Sequence, residues 1–289
     1  MKIATFKAGS TISYGIVADG GMIDAGRRMT KYPTLRALLT GGSLDDLRKL
    51  AGEQPDYKLA EVELLPTIPD PDKIFCIGVN YASHLKESGH PTPPHPMIFT
   101  RFANSQVGCG QPMIRPIESE RFDYEGEMAV VIGKGGRRIA RDAALSHVAG
   151  YACYNDGSIR DWQRHTSQFT PGKNFAGTGG FGPWMVTTDE LPDIAKQTLT
   201  TRLNGVEVQS APISDLVFDV PELIAYCSIF TDLVPGDVIV TGTTGGVGAY
   251  RVPPLWMKGG DVVEVEVSGI GILRNPVIDE VAKAVGQAA

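Results

Sequence analysis

The chain has 289 residues, 42% hydrophobic and 21% charged, an ordinary globular composition with ample apolar surface for a core. Its formal net charge is −6, and no Lys/Arg-rich run appears, which argues against a nucleic-acid partner. No apolar run approaches the roughly 18 residues of a membrane span. "MKIATFKAGSTISYGIV" at the N-terminus lacks a secretion-type apolar stretch, and Cys76, Cys109, Cys153 and Cys227 form no CxxC pair. The expectation is a reducing, cytoplasmic compartment, with no membrane partner.

"KIATF" and "SYGIVADGGMIDAG" read as strands joined by Gly-containing turns. "TLRALLTGG" and "SLDDLRKLAGE" read as short helices, the first stopped by Gly and the second opened by Ser43 as N-cap. "LAEVELLP" resembles another strand. "PTIPDPDK", with three prolines in eight residues, is a stiff connector. It suggests a small α/β domain over residues 1–66 and a larger one over residues 67–289.

Beyond the connector, "KIFCIGVN" reads as a buried strand, "YASHLKESG" as a helix stopped by Gly89, and "PTPPHP" as an extended loop. "HVAGYACYND" reads as a strand and "GSIRDWQRH" as a helix. "LTTRLNGVEVQ" is a hairpin with Asn204-Gly205 at its turn. "DVPELIAYCSIF" has helical apolar spacing, with Asp219 as N-cap and Pro221 in the first turn. "GDVIVTG" and "GDVVEVEVSGIGIL" are strands. Strands and helices do not alternate regularly, so the class is β-rich α+β.

The chemistry concentrates in a few stretches. "FDYEGEMAVVIG" carries Asp123, Glu125 and Glu127 directly ahead of an apolar strand. Residues two apart on a strand share a face, so Glu125 and Glu127 place two carboxylates side by side. In a partly buried setting that repulsion needs a proton or a cation, and a divalent metal with oxygen-ligand preference meets it economically. The competing reading is an exposed edge with solvated acids. Asp156 in "YNDGSIRDW" offers a third carboxylate or a helix N-cap, and Asp161 is expected to pair with Arg160 or Arg164. His84 and Glu87 stand at i and i+3, either as a surface pair or as an oriented general base. Lys173 lies in the Gly-rich "TPGKNFAGTGGFGP", where it either reaches an anionic substrate or is solvated. "TGTTGGVGA", residues 241–249, is a Gly/Thr loop without the GK[ST] of a nucleotide-binding loop.

Taken in order, "GVNYASHLKE", "DYEGEMAVVIGK", "GYACYNDGSIRDWQ", "GKNF", "LNGVEVQ", "LVPGDVIVTGTTGGVG" and "GDVVEVEVSGIGIL" resemble the fumarylacetoacetate hydrolase family over roughly residues 70–274. The resemblance implies a mixed β-roll catalytic domain behind a small N-terminal α/β domain, and a homodimer. It implies that Glu125, Glu127 and Asp156 hold Mg²⁺ or Mn²⁺, with Ca²⁺ also compatible with such ligands. His84 and Glu87 then correspond to a water-activating dyad on a lid helix. Lys173 and Gln163 face the substrate, and Tyr81, Arg101 and Thr243 contact it. Two positions differ from the usual pattern: Arg101-Phe102 stands where many members have Lys-Pro, and Thr244 where many have Pro. The implied activity is metal-dependent hydrolysis of a C–C bond in a 2,4-diketo acid such as an acylpyruvate, a step of aromatic catabolism. The alternatives are decarboxylation or isomerisation of an unsaturated 2-keto or 2-hydroxy diacid, and an inactive metal-binding paralogue.

Overall fold

The computed structural model describes residues 1–89 and 91–281. Its centre is a twelve-stranded sheet. The path runs Tyr57–Lys58, Gly21–Asp24, Thr11–Ala18, Lys2–Ala8, Gly179–Thr187, Val148–Asp156, Gly126–Ile132, Val238–Val240, Ile74–Gly78 and Met97–Arg101. Glu63–Leu64 and Gln106–Val107 add on at the side, pairing with Lys2–Ala8 and Gly179–Thr187. A five-stranded sheet runs Val206–Pro212, Thr198–Leu203, Val262–Val267, Gly271–Asp279 and Met113–Arg115.

The strand Gly126–Ile132 is buried along its whole length, because both of its faces are covered. Met128, Val130 and Ile132 point into a core shared with Leu199, Val265 and Leu273 of the five-stranded sheet and with Leu223, Ile224 and Cys227 of the helix Val220–Phe230. Ala129 and Val131 point the other way, into a core shared with Leu35, Leu38, Leu39 and Leu47 of the helices Leu35–Thr40 and Leu44–Arg48. That double burial is why the strand reads as a continuous apolar run.

The segments on either side of residue 66 also pack against each other. Lys2–Ala8 pairs antiparallel with Gly179–Thr187, and the N-terminal ammonium donates to the Thr187 hydroxyl at 2.5 Å. Residues 1–66 therefore extend the central sheet and roof one of its faces, and the proline-rich connector crosses no break in the core. Other local expectations have similar physical outcomes. The Asn204-Gly205 turn forms with both residues at positive φ, 53° and 77°. Asp219 caps its helix through Glu222 N. Ser43 does not cap, because its hydroxyl donates to Tyr32 instead. "LAEVELLP" is split between a single 3₁₀ turn, Leu59–Glu61, and the two-residue strand Glu63–Leu64.

Candidate active site

The acidic cluster follows from strand register. Gly126 pairs with Asn155 and Glu127 with Tyr154, which brings Asp156 opposite Glu125; Asp156 N donates to Glu125 O at 2.8 Å. The side chains of Glu125, Glu127 and Asp156 then share one face, each offering an oxygen within 4.8 Å of the others. All three are buried. Gly126, between the glutamates, faces the second sheet so closely that a Cβ there would collide with Thr201 Oγ1. The solvated-edge reading of Glu125 and Glu127 and the N-cap reading of Asp156 therefore fall away: the helix Arg160–Gln163 begins four residues beyond Asp156.

Three buried cations balance the acids. Lys173 Nζ sits 2.5 Å from Glu125 Oε2 and 2.7 Å from Asp156 Oδ2. Arg160 joins Glu125 Oε1 at 2.6 Å and donates through Nε to Asp123 Oδ2 at 2.8 Å. Arg101 Nη1 donates to Asp156 Oδ1 at 2.6 Å. Burial pushes the Glu125 carboxyl up, but Arg160 and Lys173 outweigh it and hold the group down at about 2. Glu127 lacks such partners beyond Gly242 N, at 2.6 Å; burial, reinforced by Asp156 and Glu125, pushes it well above the usual carboxylate range. Lys173 keeps a raised value: burial works against its charge, and Asp156 and Glu125 more than compensate. A buried all-oxygen donor set in which one carboxylate is left without a cation fits a hard divalent ion.

These groups open onto a cavity of about 290 Å³. Glu125, Glu127, Lys173, Arg160 and Gln163 line it, joined by His84 and Tyr250, with Phe99, Phe169 and Ile77 as apolar wall. Asp156 is absent from that lining; it lies behind Lys173 and Arg101. His84 is 7% exposed and, among the described residues, its Nδ1 has no hydrogen-bond partner. Glu87 Oε2 lies 3.7 Å from that nitrogen, too far for a hydrogen bond, and instead accepts from Gly246 N at 2.7 Å. Together with Gly245 N donating to Ser83 Oγ at 3.1 Å, this ties the helix Ala82–Ser88 to the 241–249 loop. Gly89 ends that helix at φ 69°.

Other expected contacts need correction. Arg101 cannot reach a substrate here: it is 2% exposed, and its guanidinium is spent on Asp156, Gly157 O and Thr178. It steadies the Asp156 carboxylate instead. Tyr81 is fully buried in the core, its hydroxyl unpartnered and outside the cavity wall. Thr243 does line the cavity, but its hydroxyl proton goes to Gly126 O while Gln209 donates to its oxygen. Gln163 reaches the wall with its amide oxygen accepting from Arg160 at 3.0 Å. Asp161 accepts from Ser119 rather than from an arginine. Sequence reasoning misses Arg160, Gln209 and Tyr250 as site residues. Arg160 stands four residues after Asp156, in the same motif, so a signal exists; Gln209 and Tyr250 arrive from separate loops and strands with no spacing to betray them.

Comparison with known proteins agrees with this geometry. The family model for the fumarylacetoacetate (FAA) hydrolase C-terminal region matches residues 73–278. The chain is 42% identical over 233 residues to human "Oxaloacetate tautomerase FAHD2A, mitochondrial", covering 80% of this chain and 74% of that protein. Fumarylacetoacetate hydrolase from Exiguobacterium antarcticum superposes with a TM-score of 0.86 at 34% identity, over 97% of this chain and 100% of that one. Maleylpyruvate hydrolase from Sphingobium sp. SYK-6, solved with manganese(II) and pyruvate, superposes at 0.82 with 26% identity, over 97% and 100%. With the acidic cluster, the sheet architecture and the ordered motifs all in agreement, the chain belongs to the fumarylacetoacetate hydrolase family.

Proposed function

We propose that this protein is a divalent-cation-dependent enzyme that interconverts the keto and enol forms of a small 2-keto dicarboxylate of the oxaloacetate type. The observation that carries this reading is the buried His84 imidazole, its Nδ1 unpartnered, sharing a cavity of about 290 Å³ with the carboxylate cluster. The similarity to an oxaloacetate tautomerase supports it.

Tautomerisation needs a proton removed from C3 of the keto acid and a proton delivered to the C2 oxygen. A cation held by Glu125, Glu127 and Asp156 would supply Lewis acidity toward a 2-keto acid. His84, whose imidazole lines the cavity, is the group able to take the C3 proton. Lys173 places a buried positive charge beside the cluster, where it favours the negative charge that develops on oxygen. Phe99, Phe169 and Ile77 exclude water from the carbon centre.

Acylpyruvate hydrolysis is the second reading, favoured by the presence of His84 and Glu87 on one helix face. It requires Glu87 to leave Gly246 N and close the 3.7 Å gap to His84, so that the imidazole can activate water. Proton NMR in D₂O with Mg²⁺ or Mn²⁺ separates the two. Cation-dependent acceleration of C3 exchange in oxaloacetate above the protein-free rate is the expected result. Cleavage of acylpyruvates without such acceleration would overturn the first reading in favour of the second.

A further inference from the structure

The cavity wall contains three cationic side chains, and two of them are committed. Lys173 and Arg160 each lie within 2.8 Å of buried carboxylate oxygens. The third, Arg164, also lines the cavity yet is exposed, so its side chain stands at the rim. Among the described residues, no side-chain hydrogen bond or ion pair engages its guanidinium; only its backbone N–H is used, donating to Asp161 O. Arg164 follows Arg160 by four residues and is the C-cap of the short helix Arg160–Gln163. Residues spaced i and i+4 lie on one helix face, one turn or roughly 5–6 Å apart. Arg160 grips Glu125 in the acidic cluster, and Arg164 repeats its chemistry one turn farther out. The same wall carries Phe99, Phe169 and Ile77, which suit a short hydrocarbon chain rather than a second polar group.

Resting on the enolisation reading, we infer that Arg164 is a specificity-determining residue: its guanidinium binds the distal carboxylate of a dicarboxylic substrate and makes the enzyme prefer 2-keto diacids to 2-keto monoacids. An arginine fork matches a carboxylate bidentately, and this one has no competing partner to give up. The same position explains why the charge must be at the rim. The distal carboxylate keeps part of its hydration there, whereas a fourth buried cation would compete with a divalent ion for the acidic cluster.

The test compares oxaloacetate with 2-oxobutanoate, in which a methyl group replaces the distal carboxylate, by C3 exchange in D₂O with saturating Mg²⁺. Wild type, Arg164→Gln and Arg164→Lys are each measured, with kcat and KM separated. The expected result is a fall of at least about tenfold in the oxaloacetate/2-oxobutanoate ratio of kcat/KM in Arg164→Gln, mainly through a higher KM for oxaloacetate, with Arg164→Lys in between. A ratio that stays within twofold of wild type in Arg164→Gln overturns the inference and leaves the enolisation reading standing, as does an equal loss on both acids. In wild type itself, the absence of any preference for the diacid, after correction for protein-free rates, also overturns it. Failure of wild type to accelerate exchange of either acid overturns the enolisation reading, and the inference falls with it.

Discussion

Replacing Lys173 with Met keeps the buried apolar stem and removes only the ammonium. In the cluster, four carboxylates (Asp123, Glu125, Glu127, Asp156) face three cations (Arg101, Arg160, Lys173), a formal excess of one negative charge. Lys173 is 1% exposed and contacts two of those acids at 2.5 and 2.7 Å, so its removal strands charge in a dry interior. Breaking a buried pair in this way costs about 3–5 kcal/mol. Urea denaturation followed by tryptophan fluorescence, with chelator present, should show Lys173→Met less stable by about that amount. The metal response should go the other way. A divalent ion takes the native cluster from one excess negative charge to one positive, but takes the variant from two negative to neutral. Like charge beside the ion is removed, so Mn²⁺ should bind Lys173→Met at least about tenfold tighter. Electron paramagnetic resonance of free Mn²⁺ measures this directly, while turnover should fall because the positive charge near the developing oxyanion is gone. Unchanged or weaker Mn²⁺ binding in the variant would refute the electrostatic reasoning, and would mean that the ammonium orders Glu125 and Asp156 for the ion rather than competing with it.

Three further outcomes follow from the same contacts. Gly126→Ala drives a Cβ into Thr201 Oγ1 and should cost about 1–3 kcal/mol while weakening Mn²⁺ binding through the flanking glutamates; Gly126→Ala combined with Thr201→Ala should recover part of both, and no recovery would place the strain elsewhere. His84→Ala should slow C3 exchange of oxaloacetate by about a hundredfold or more with little change in Mn²⁺ affinity, and exchange at the wild-type rate would remove His84 from the chemistry. Direct hydrogen bonding from Arg28 holds the Asp56 carboxyl below its ordinary value, so the stability this contributes is present above the unfolded aspartate value of about 3.9 and lost as pH falls through the depressed folded value. Between pH 6 and 3, wild type should therefore lose more urea stability than Asp56→Asn, and parallel losses would rule out the pair as an acid-sensitive contact.

The acidic cluster is legible in the sequence because its signal is local. E-x-E on a strand needs only period-two geometry, and the apolar "MAVVIG" that follows already says that the strand is covered on both sides. Register does the rest: Asp156 ends the neighbouring strand, so antiparallel pairing delivers it to Glu125 whatever path the intervening loop takes. What is not legible is how charges are shared. Arg101 looks available for a substrate because sequence shows an arginine after a strand; it does not show that Asp156 Oδ1, Gly157 O and Thr178 converge on that guanidinium from residues more than fifty positions away. The His84–Glu87 pair misleads for a related reason. Helical spacing correctly puts both on one face, but spacing cannot weigh Glu87's alternative partner, the Gly246 N–H at 2.7 Å, against an imidazole at 3.7 Å.

That competition bears on how the site works. A carboxylate that accepts from a backbone N–H fixes the helix Ala82–Ser88 to the 241–249 loop, and the same carboxylate oriented on His84 would favour the imidazolium. Glu87 cannot do both from its present position. Proton abstraction from carbon needs only His84 held near the substrate, which the tied loop provides. Activation of water for hydrolysis gains from the oriented dyad, which the tied loop withholds. On the proposed reading, any balance between enolisation and C–C cleavage would turn on the partner of Glu87. Glu87→Gln is the variant that reads it, since the amide oxygen still accepts from Gly246 N while the negative charge that would support an imidazolium is lost. It should leave C3 exchange of oxaloacetate within a few-fold of wild type and depress any acylpyruvate hydrolysis by about tenfold or more. Parallel losses in both assays would show that the dyad closes during enolisation as well, and that the 3.7 Å separation is not the catalytic arrangement.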